Sequence, residues 1–304
     1  MRFELTILGS GSALPTSLRN TTAQVLNVLE RFFLIDCGEG CQLQLRKFSF
    51  SFLKINRIFI SHMHGDHYFG LFGLLSTLNL MGRQQPLYIH GPAELNGILE
   101  TVLGFKSEYW KYKVHVIPLN FENPAIIFED KKIKVTSFPL RHSTPVCGFT
   151  FEEQPRPRKI DKSSILELNL TIKEINALKE GMDIERNGEI IENRLMTKDP
   201  PSPRKYAFMT DTLKCSSAIE IIKNADILYH EATYLHEDLA LARKTCHSTA
   251  IQAAQIARDA NVKKLLLGHY SSRYTDITVI EDEAKTVFSN SISVLDGEIY
   301  PVDY

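Results

Sequence analysis

Three imidazoles and one carboxylate fall within six residues in His62-Met63-His64-Gly65-Asp66-His67. The stretch follows an apolar run, Ile55 to Ser61, that reads as a buried strand. Ionisable groups at the end of such a strand cannot be buried without partners. A pair of metal ions is the economical partner. Imidazole and carboxylate suit zinc, and a water held between two such ions is a hydrolytic nucleophile at neutral pH. A single histidine after a strand is ordinarily structural, and His-x-His alone is a weak signal. The full His-x-His-x-Asp-His string in a strand-to-loop setting is much sharper.

The same arrangement, an apolar run closed by an ionisable residue, recurs along the chain. Thr136 to Arg141 leads to His142, and Tyr206 to Thr210 leads to Asp211. Ile227 to Tyr229 leads to His230 and Glu231, and Leu265 to Gly268 leads to His269. Taken singly, each is an ordinary residue. Together they fit a convergent site, because the strand ends of a sheet-based fold can gather on one edge while the sheet fixes their positions. His90, His115 and His236 have no such setting and read as structural or surface residues.

The elements that must hold these groups are legible in outline. A chain of 304 residues can bury a large core, as one large domain or two. Helical spacing covers Tyr68 to Arg83, Pro92 to Gly104, Ser248 to Asn261 with Ser248 or Thr249 as N-cap, and Val279 to Phe288. Strands and helices mix throughout, so the class is α/β. Net charge is −1, which neither points to nor excludes a nucleic-acid partner, since binding surfaces can be local. Five cysteines, an odd number, argue against a disulfide framework and for a reducing compartment. Cys37 and Cys41 are four apart, but no second close pair completes a structural zinc site, so buried or loop thiols are expected. Glu4 sits inside the short apolar run at the N-terminus, which reads as a first strand rather than a signal peptide. No stretch approaches the roughly 18 uninterrupted apolar residues of a membrane span. A cytoplasmic protein with no membrane partner is the expectation.

Residues 152–205 differ from the rest. Pro155, Pro157, Pro200, Pro201 and Pro203 punctuate the two ends, and the middle, Leu166 to Leu178, is compatible with strand or helix. Eleven Lys/Arg are matched by eleven Asp/Glu. The positive charge gathers at the ends, in Arg156, Arg158, Lys159 and Lys162 on one side and Lys198, Arg204 and Lys205 on the other. If the segment protrudes and returns, the two basic ends meet at its base. A solvated surface insertion is the plainer alternative.

The histidine string resembles the signature of the metallo-β-lactamase fold superfamily, whose members are mostly metallohydrolases. Four further stretches narrow the resemblance to ribonuclease Z, the tRNA 3′-processing endonuclease family, in its short form. They are Leu8 to Asn20, Asp36 to Gln42, His230-Glu231-Ala232-Thr233 and His247-Ser248-Thr249. The likeness runs from the first strand to His269, nearly the whole chain. It implies one domain over residues 1–304, a four-layer αβ/βα sandwich, with 152–205 as an inserted, protruding arm that serves as a candidate tRNA exosite. It also implies two zinc ions per subunit, with manganese or another divalent ion able to serve. His62, His64 and His142 would bind the first, Asp66, His67 and His269 the second, and Asp211 would bridge them. The implied activity cuts precursor tRNA after the discriminator base by hydroxide attack on phosphorus, leaving a 3′-hydroxyl on the tRNA and a 5′-phosphate on the trailer. Asp66 is the implied general base, and His247, oriented by Glu231, the implied acid for the leaving 3′-oxygen. The chemistry is sound, since an alkoxide leaves poorly unless protonated and a histidine held by a carboxylate keeps its proton near neutral pH. A homodimer is implied too, one subunit's arm gripping the tRNA that the other cuts.

Two departures from the family pattern stand out. Ser17 replaces the lysine of the family's Pro-x-Lys-x-Arg-Asn loop, and Gly181 of the arm is followed by Met182 rather than proline. Two rivals remain: another hydrolase on the same fold, acting on small phosphodiesters, sulfate esters, lactones or thioesters, and a tRNA-binding protein without chemistry.

Overall fold

The computed structural model describes residues 2–303. Among them lie two seven-stranded sheets. The first runs, strand by strand, Ile299–Pro301, Phe3–Gly9, Ala23–Val28, Arg31–Cys37, Ile55–Phe59, Leu87–Gly91 and Val114–Pro118. The second runs Ser291–Ser293, Lys264–Gly268, Ile227–Glu231, Lys205–Met209, Cys147–Glu153, Ile133–Pro139 and Ala125–Glu129.

The central strands are apolar on both faces, so each sheet is covered on both sides there. Side chains alternate along Arg31–Cys37: Phe33 and Ile35 enter a central core, while Phe32 and Leu34 enter an outer one. In Ile227–Glu231 of the second sheet, Ile227 and Tyr229 face the same central core and Leu228 faces outward. The central core therefore draws on both sheets. Helices close the outer faces, and the expected four layers are present. Gly70–Leu80 buries Leu71, Leu74, Leu75 and Leu78, one stripe at helical spacing, against the first sheet. Ala250–Asp259 does the same for the second sheet with Ala250, Ala253, Ala254 and Ala257.

Helix boundaries follow local chemistry. Thr249, not Ser248, caps Ala250–Asp259, its hydroxyl accepting from the Gln252 amide in a capping box. Ser248 instead donates its hydroxyl to the Thr212 carbonyl at 2.6 Å. The helix expected from Tyr68 starts earlier, as a turn over Gly65–Tyr68 inside the histidine string, before Gly70–Leu80. Cys37 and Cys41 are both buried in the outer core of the first sheet, and burial pushes the Cys37 thiol up. No helix among the described residues is long and apolar enough to cross a membrane.

Parallel pairing aligns the site. Arg31–Cys37, Ile55–Phe59, Leu87–Gly91 and Val114–Pro118 are mutually parallel. So are Lys205–Met209, Ile227–Glu231, Lys264–Gly268 and Ser291–Ser293. Parallel ladders bring carboxyl ends to one edge, where such sheets bind ligands. The two edges are stitched together. Cys147 N donates to Ser61 O at 3.1 Å, Ser12 N to Tyr270 O at 3.0 Å and Tyr270 N to Ser10 O at 3.0 Å.

Residues between the Cys147–Glu153 and Lys205–Met209 strands form a small module. Helices Lys162–Glu167 and Ile172–Lys179 settle the middle as helical, and a hairpin of Ile184–Arg186 with Glu189–Ile191 follows. Leu170, Leu178 and Ile184 form its own buried cluster. Its ends do meet, since Lys159 pairs with Lys198 in a two-stranded ladder. The three arginines at that base are engaged structurally, however. Arg158 pairs with Asp199, and Arg156 and the buried Arg204 both pair with Glu153.

Candidate metal centre

The histidine string leaves the Ile55–Phe59 strand and turns at once into helix, which folds His62, His64, Asp66 and His67 around one point. Asp211 and His269 stand just past the ends of Lys205–Met209 and Lys264–Gly268, both with left-handed backbone, φ 45° and 59°. That conformation costs about 1–2 kcal/mol per non-glycine residue. Here it swings each side chain back over the sheet edge instead of onward with the chain. Strain held at a strand end is a mark of a functional position.

Two donor groups share Asp211. Its Oδ2 lies 3.5 Å from His62 Nε2 and 3.7 Å from His142 Nε2, which in turn is 3.2 Å from His64 Nδ1. Its Oδ1 lies 3.3 Å from His67 Nε2 and 3.0 Å from His269 Nε2. Those two imidazoles also approach Asp66 Oδ2, at 3.4 and 3.6 Å. All seven residues read from the sequence as ligands therefore converge, split into the sets expected. Asp211 presents a separate oxygen to each set.

The donors fit divalent ions. Nε2 of His62, His67 and His269 is buried with no hydrogen-bond partner, although buried polar atoms are nearly always paired. Burial, then the neighbouring His67, pushes the His62 imidazole down to about 4, leaving it neutral, as a ligand must be. Burial works against charge on His67 as well, but Asp211, Asp66 and Asp36 reverse this and push it well above the usual histidine range. Three carboxylates thus hold a proton where a metal cation would serve the same charge balance.

Each imidazole is oriented from behind. His67 Nδ1 donates to Asp36 Oδ2 at 2.7 Å, and Asp36 also accepts from Ser61 N and Oγ at 2.8 and 2.9 Å. His62 Nδ1 meets Ser61 Oγ at 2.9 Å, and His142 Nδ1 donates to Cys246 O at 2.9 Å. His269 Nδ1 meets Thr233 Oγ1 at 3.1 Å. Such partners fix tautomer and ring plane. Asp66 Oδ2 accepts from Ala13 N at 2.8 Å, tying the loop after the first strand to the site. Gly38 is required beneath it, because a Cβ there would fall 2.3 Å from Asp66 O and 2.2 Å from Thr21 Oγ1.

Beside the donors, His247 Nδ1 donates to Glu231 Oε1 at 2.9 Å. Glu231 is fully buried and also accepts from Thr212 N at 2.7 Å and Thr233 Oγ1 at 2.6 Å. Burial disfavours charge on His247, but Glu231 outweighs it and the pKa is pushed up to about 9. The His247 and His142 ring centroids are 5.0 Å apart, which puts this imidazole beside the donor groups.

His230 belongs elsewhere. It shares the outer face of its strand with Leu228 and donates Nδ1 to Glu231 O at 2.7 Å. His90 accepts from Arg57, His115 stacks on Tyr88, and His236 meets Thr249 Oγ1, so all three are structural as expected. The roles of Asp36, Thr233 and Asp296 went unread in the sequence. Asp36 carries the signal of the others, an acid closing an apolar strand. Asp296 carries none, yet it accepts from Ser10 N and Oγ at 2.9 and 2.7 Å and from Asn20 N and Nδ2 at 2.8 and 2.9 Å. It thereby clasps both ends of the loop that delivers the Ala13 amide.

A family model described as anti-Pycsar protein Apyc1 matches residues 3–153. Ribonuclease Z of Bacteroides thetaiotaomicron is 44% identical, over 96% of this chain and 92% of its own. Ribonuclease Z of Porphyromonas gingivalis is 43% identical over 96% of both chains. The crystal structure of human short-form tRNase Z superposes with a TM-score of 0.71 at 26% identity, covering 99% of this chain and 100% of that one. YhfI of Bacillus subtilis, a metallo-β-lactamase fold protein, shares the fold with a TM-score of 0.69 at 17% identity, over 99% of this chain and 100% of its own.

Proposed function

The chain belongs to the ribonuclease Z family, and from that membership we propose that it is an endoribonuclease that matures tRNA 3′ ends, cutting precursor tRNA after the discriminator base at a two-zinc site. The observation that carries the reading is the pair of donor sets divided between the two oxygens of Asp211, with the Glu231–His247 pair beside them. His62, His64 and His142 would hold one ion, Asp66, His67 and His269 the other, and Asp211 both. When bound, two divalent ions supply the activation of water and the charge stabilisation that phosphodiester hydrolysis needs.

The rest is assigned to the chain's own groups. Asp66, anchored by the Ala13 amide and kept ionised mainly by His67 and His269 against its burial, is the base toward the attacking water. His247, kept protonated by Glu231, delivers a proton to the leaving 3′-oxygen. The module at 152–205 grips the tRNA away from the cut. In a homodimer, the arm of one subunit serves the cleft of the other. With the base of the arm occupied by ion pairs, phosphate contacts fall to outward lysines such as Lys159 and Lys198.

The test is incubation of zinc-loaded protein with a labelled precursor tRNA carrying a 3′ trailer, with a chelator control. A single chelator-sensitive cut after the discriminator base is expected. An intact precursor alongside hydrolysis of small phosphodiesters would overturn the tRNA assignment and move the protein to another reaction on the same fold.

A further inference from the structure

The metal centre opens into a cleft of about 680 Å3 whose walls include His64, Asp66, His142, Asp211, His247 and Phe69. Among the described residues no lysine or arginine lines it. Apart from His247, which is assigned to the leaving oxygen, nucleotides flanking a scissile phosphate in this cleft thus have no side-chain cation to pair with their own phosphates. Hydroxyls such as Ser143 and Ser271 can reach phosphate oxygens, but the scarcity of cations gives contacts to the sugar or the base a larger share of the local hold.

Phe69 offers such a contact. It remains 51% exposed in a chain that buries most of its phenylalanines, and the exposed part faces this cleft. Its place is fixed. The Phe69 amide donates to Gly65 O at 2.9 Å. The ring lies across Gly65, where an added Cβ would come within 2.5 Å of the ring carbons. The ring is therefore pressed on the backbone between two metal-ligating residues, His64 and Asp66. On the other side of Asp66, the loop anchored by the Ala13 amide presents Leu14, 64% exposed, and Pro15 to the same cleft. An exposed ring and an exposed aliphatic side chain so close to the chemistry make an apolar surface suited to the flat face of a base.

We propose that Phe69 is the stacking platform for a nucleobase next to the scissile phosphodiester, with Leu14 as the apolar wall of that subsite. The proposal rests on the tRNA reading above and names how the RNA is positioned within it. Stacking is tolerant of base identity, since every base has a π-face. A single enzyme can thereby align precursors that differ at this position.

The experiment is a double-mutant cycle on precursor tRNA. Wild-type protein and Phe69→Ala, both zinc-loaded and with metal content verified, are assayed on the normal precursor. They are also assayed on two precursors that each lack one base, 5′ or 3′ of the cut. On the normal precursor, Phe69→Ala should lower kcat/KM by about 10- to 100-fold, the scale of one base–aromatic stack. Phe69→Tyr should restore most of it. On one abasic precursor the loss should shrink to within about 2-fold, because the partner base is already gone. An undiminished loss on both abasic precursors would overturn the platform and leave Phe69 as a packing residue. If wild-type protein leaves the normal precursor intact, the tRNA reading fails first and this subsite fails with it.

Discussion

The metal cleft and the arm at 152–205 are held by different means. Around the cleft, His62, His67 and Glu231 are fully buried and Asp211 nearly so, and every imidazole of the two donor sets but His64 has a protein partner behind it. Those partners, Asp36, Ser61, Thr233 and Cys246, come from the first and last thirds of the chain. The arm rests on one small cluster around Leu170, Leu178 and Ile184, while Leu166, Ile172, Ile190 and Leu195 stay outside it at 70 to 81% exposure. Among the described residues, the hydrogen bonds made by 158–199 close within the segment. A catalytic constellation must be held within about 0.5 Å of its productive geometry. The segment at 152–205 makes none of the contacts that hold the cleft, and its internal bonding holds its own shape.

That contrast can be broken or sharpened by substitution, beginning with the residue that joins the two donor sets. Asp211→Ala should strip both metals and lower activity by at least about 1000-fold, read by metal analysis and single-turnover cleavage. Retention of both ions would remove its bridging role. His247→Ala should keep the metals and lower kcat on RNA by about 100- to 10,000-fold. The loss should be much smaller on a diester whose leaving group needs no proton, and an equal loss on both substrates would sink the acid role.

Asp36→Asn tests whether support from behind matters as much as the ligands themselves. It should weaken metal affinity by about 10- to 100-fold, measured by competition with a chelating dye, since His67 loses the carboxylate that orients it. An unchanged affinity would show that packing alone holds the ring. The smallest effect belongs to the arm. Replacing 160–198 by a short linker is feasible because Lys159 sits opposite Lys198, the neighbour of Asp199 where the linker rejoins the chain. It should raise KM for precursor tRNA about 10-fold with metal content intact, and unchanged tRNA kinetics would make the segment a plain insertion.

The site was more legible than the arm because its signal is local. His62 to His67 is a contiguous string, and His142, Asp211, Glu231 and His269 each close an apolar run that has to be a strand. Parallel pairing, and for His142 two successive antiparallel steps through Cys147–Glu153, then brings such ends to one edge. The arm has no such compression. Its middle could be read as strand or helix until Thr171 and Glu174 formed their capping box. Its clustered basic residues looked like an open positive base until Asp199 and Glu153 turned out to pair with all three arginines of that base.

The amino-acid sequence by itself determined the donor types, their placement at strand ends and the α/β class, because these depend on neighbours a few residues apart and on alternation within a strand. Only the tertiary structure decided which oxygen of Asp211 faces which histidines, that Asp36 and Thr233 orient their rings, and that Asp296 clasps the loop holding Asp66. Those contacts join residues up to 286 positions apart, Ser10 with Asp296 at the extreme. They exist because two sheets, each covered on both faces, can close their shared core in only a narrow range of registers.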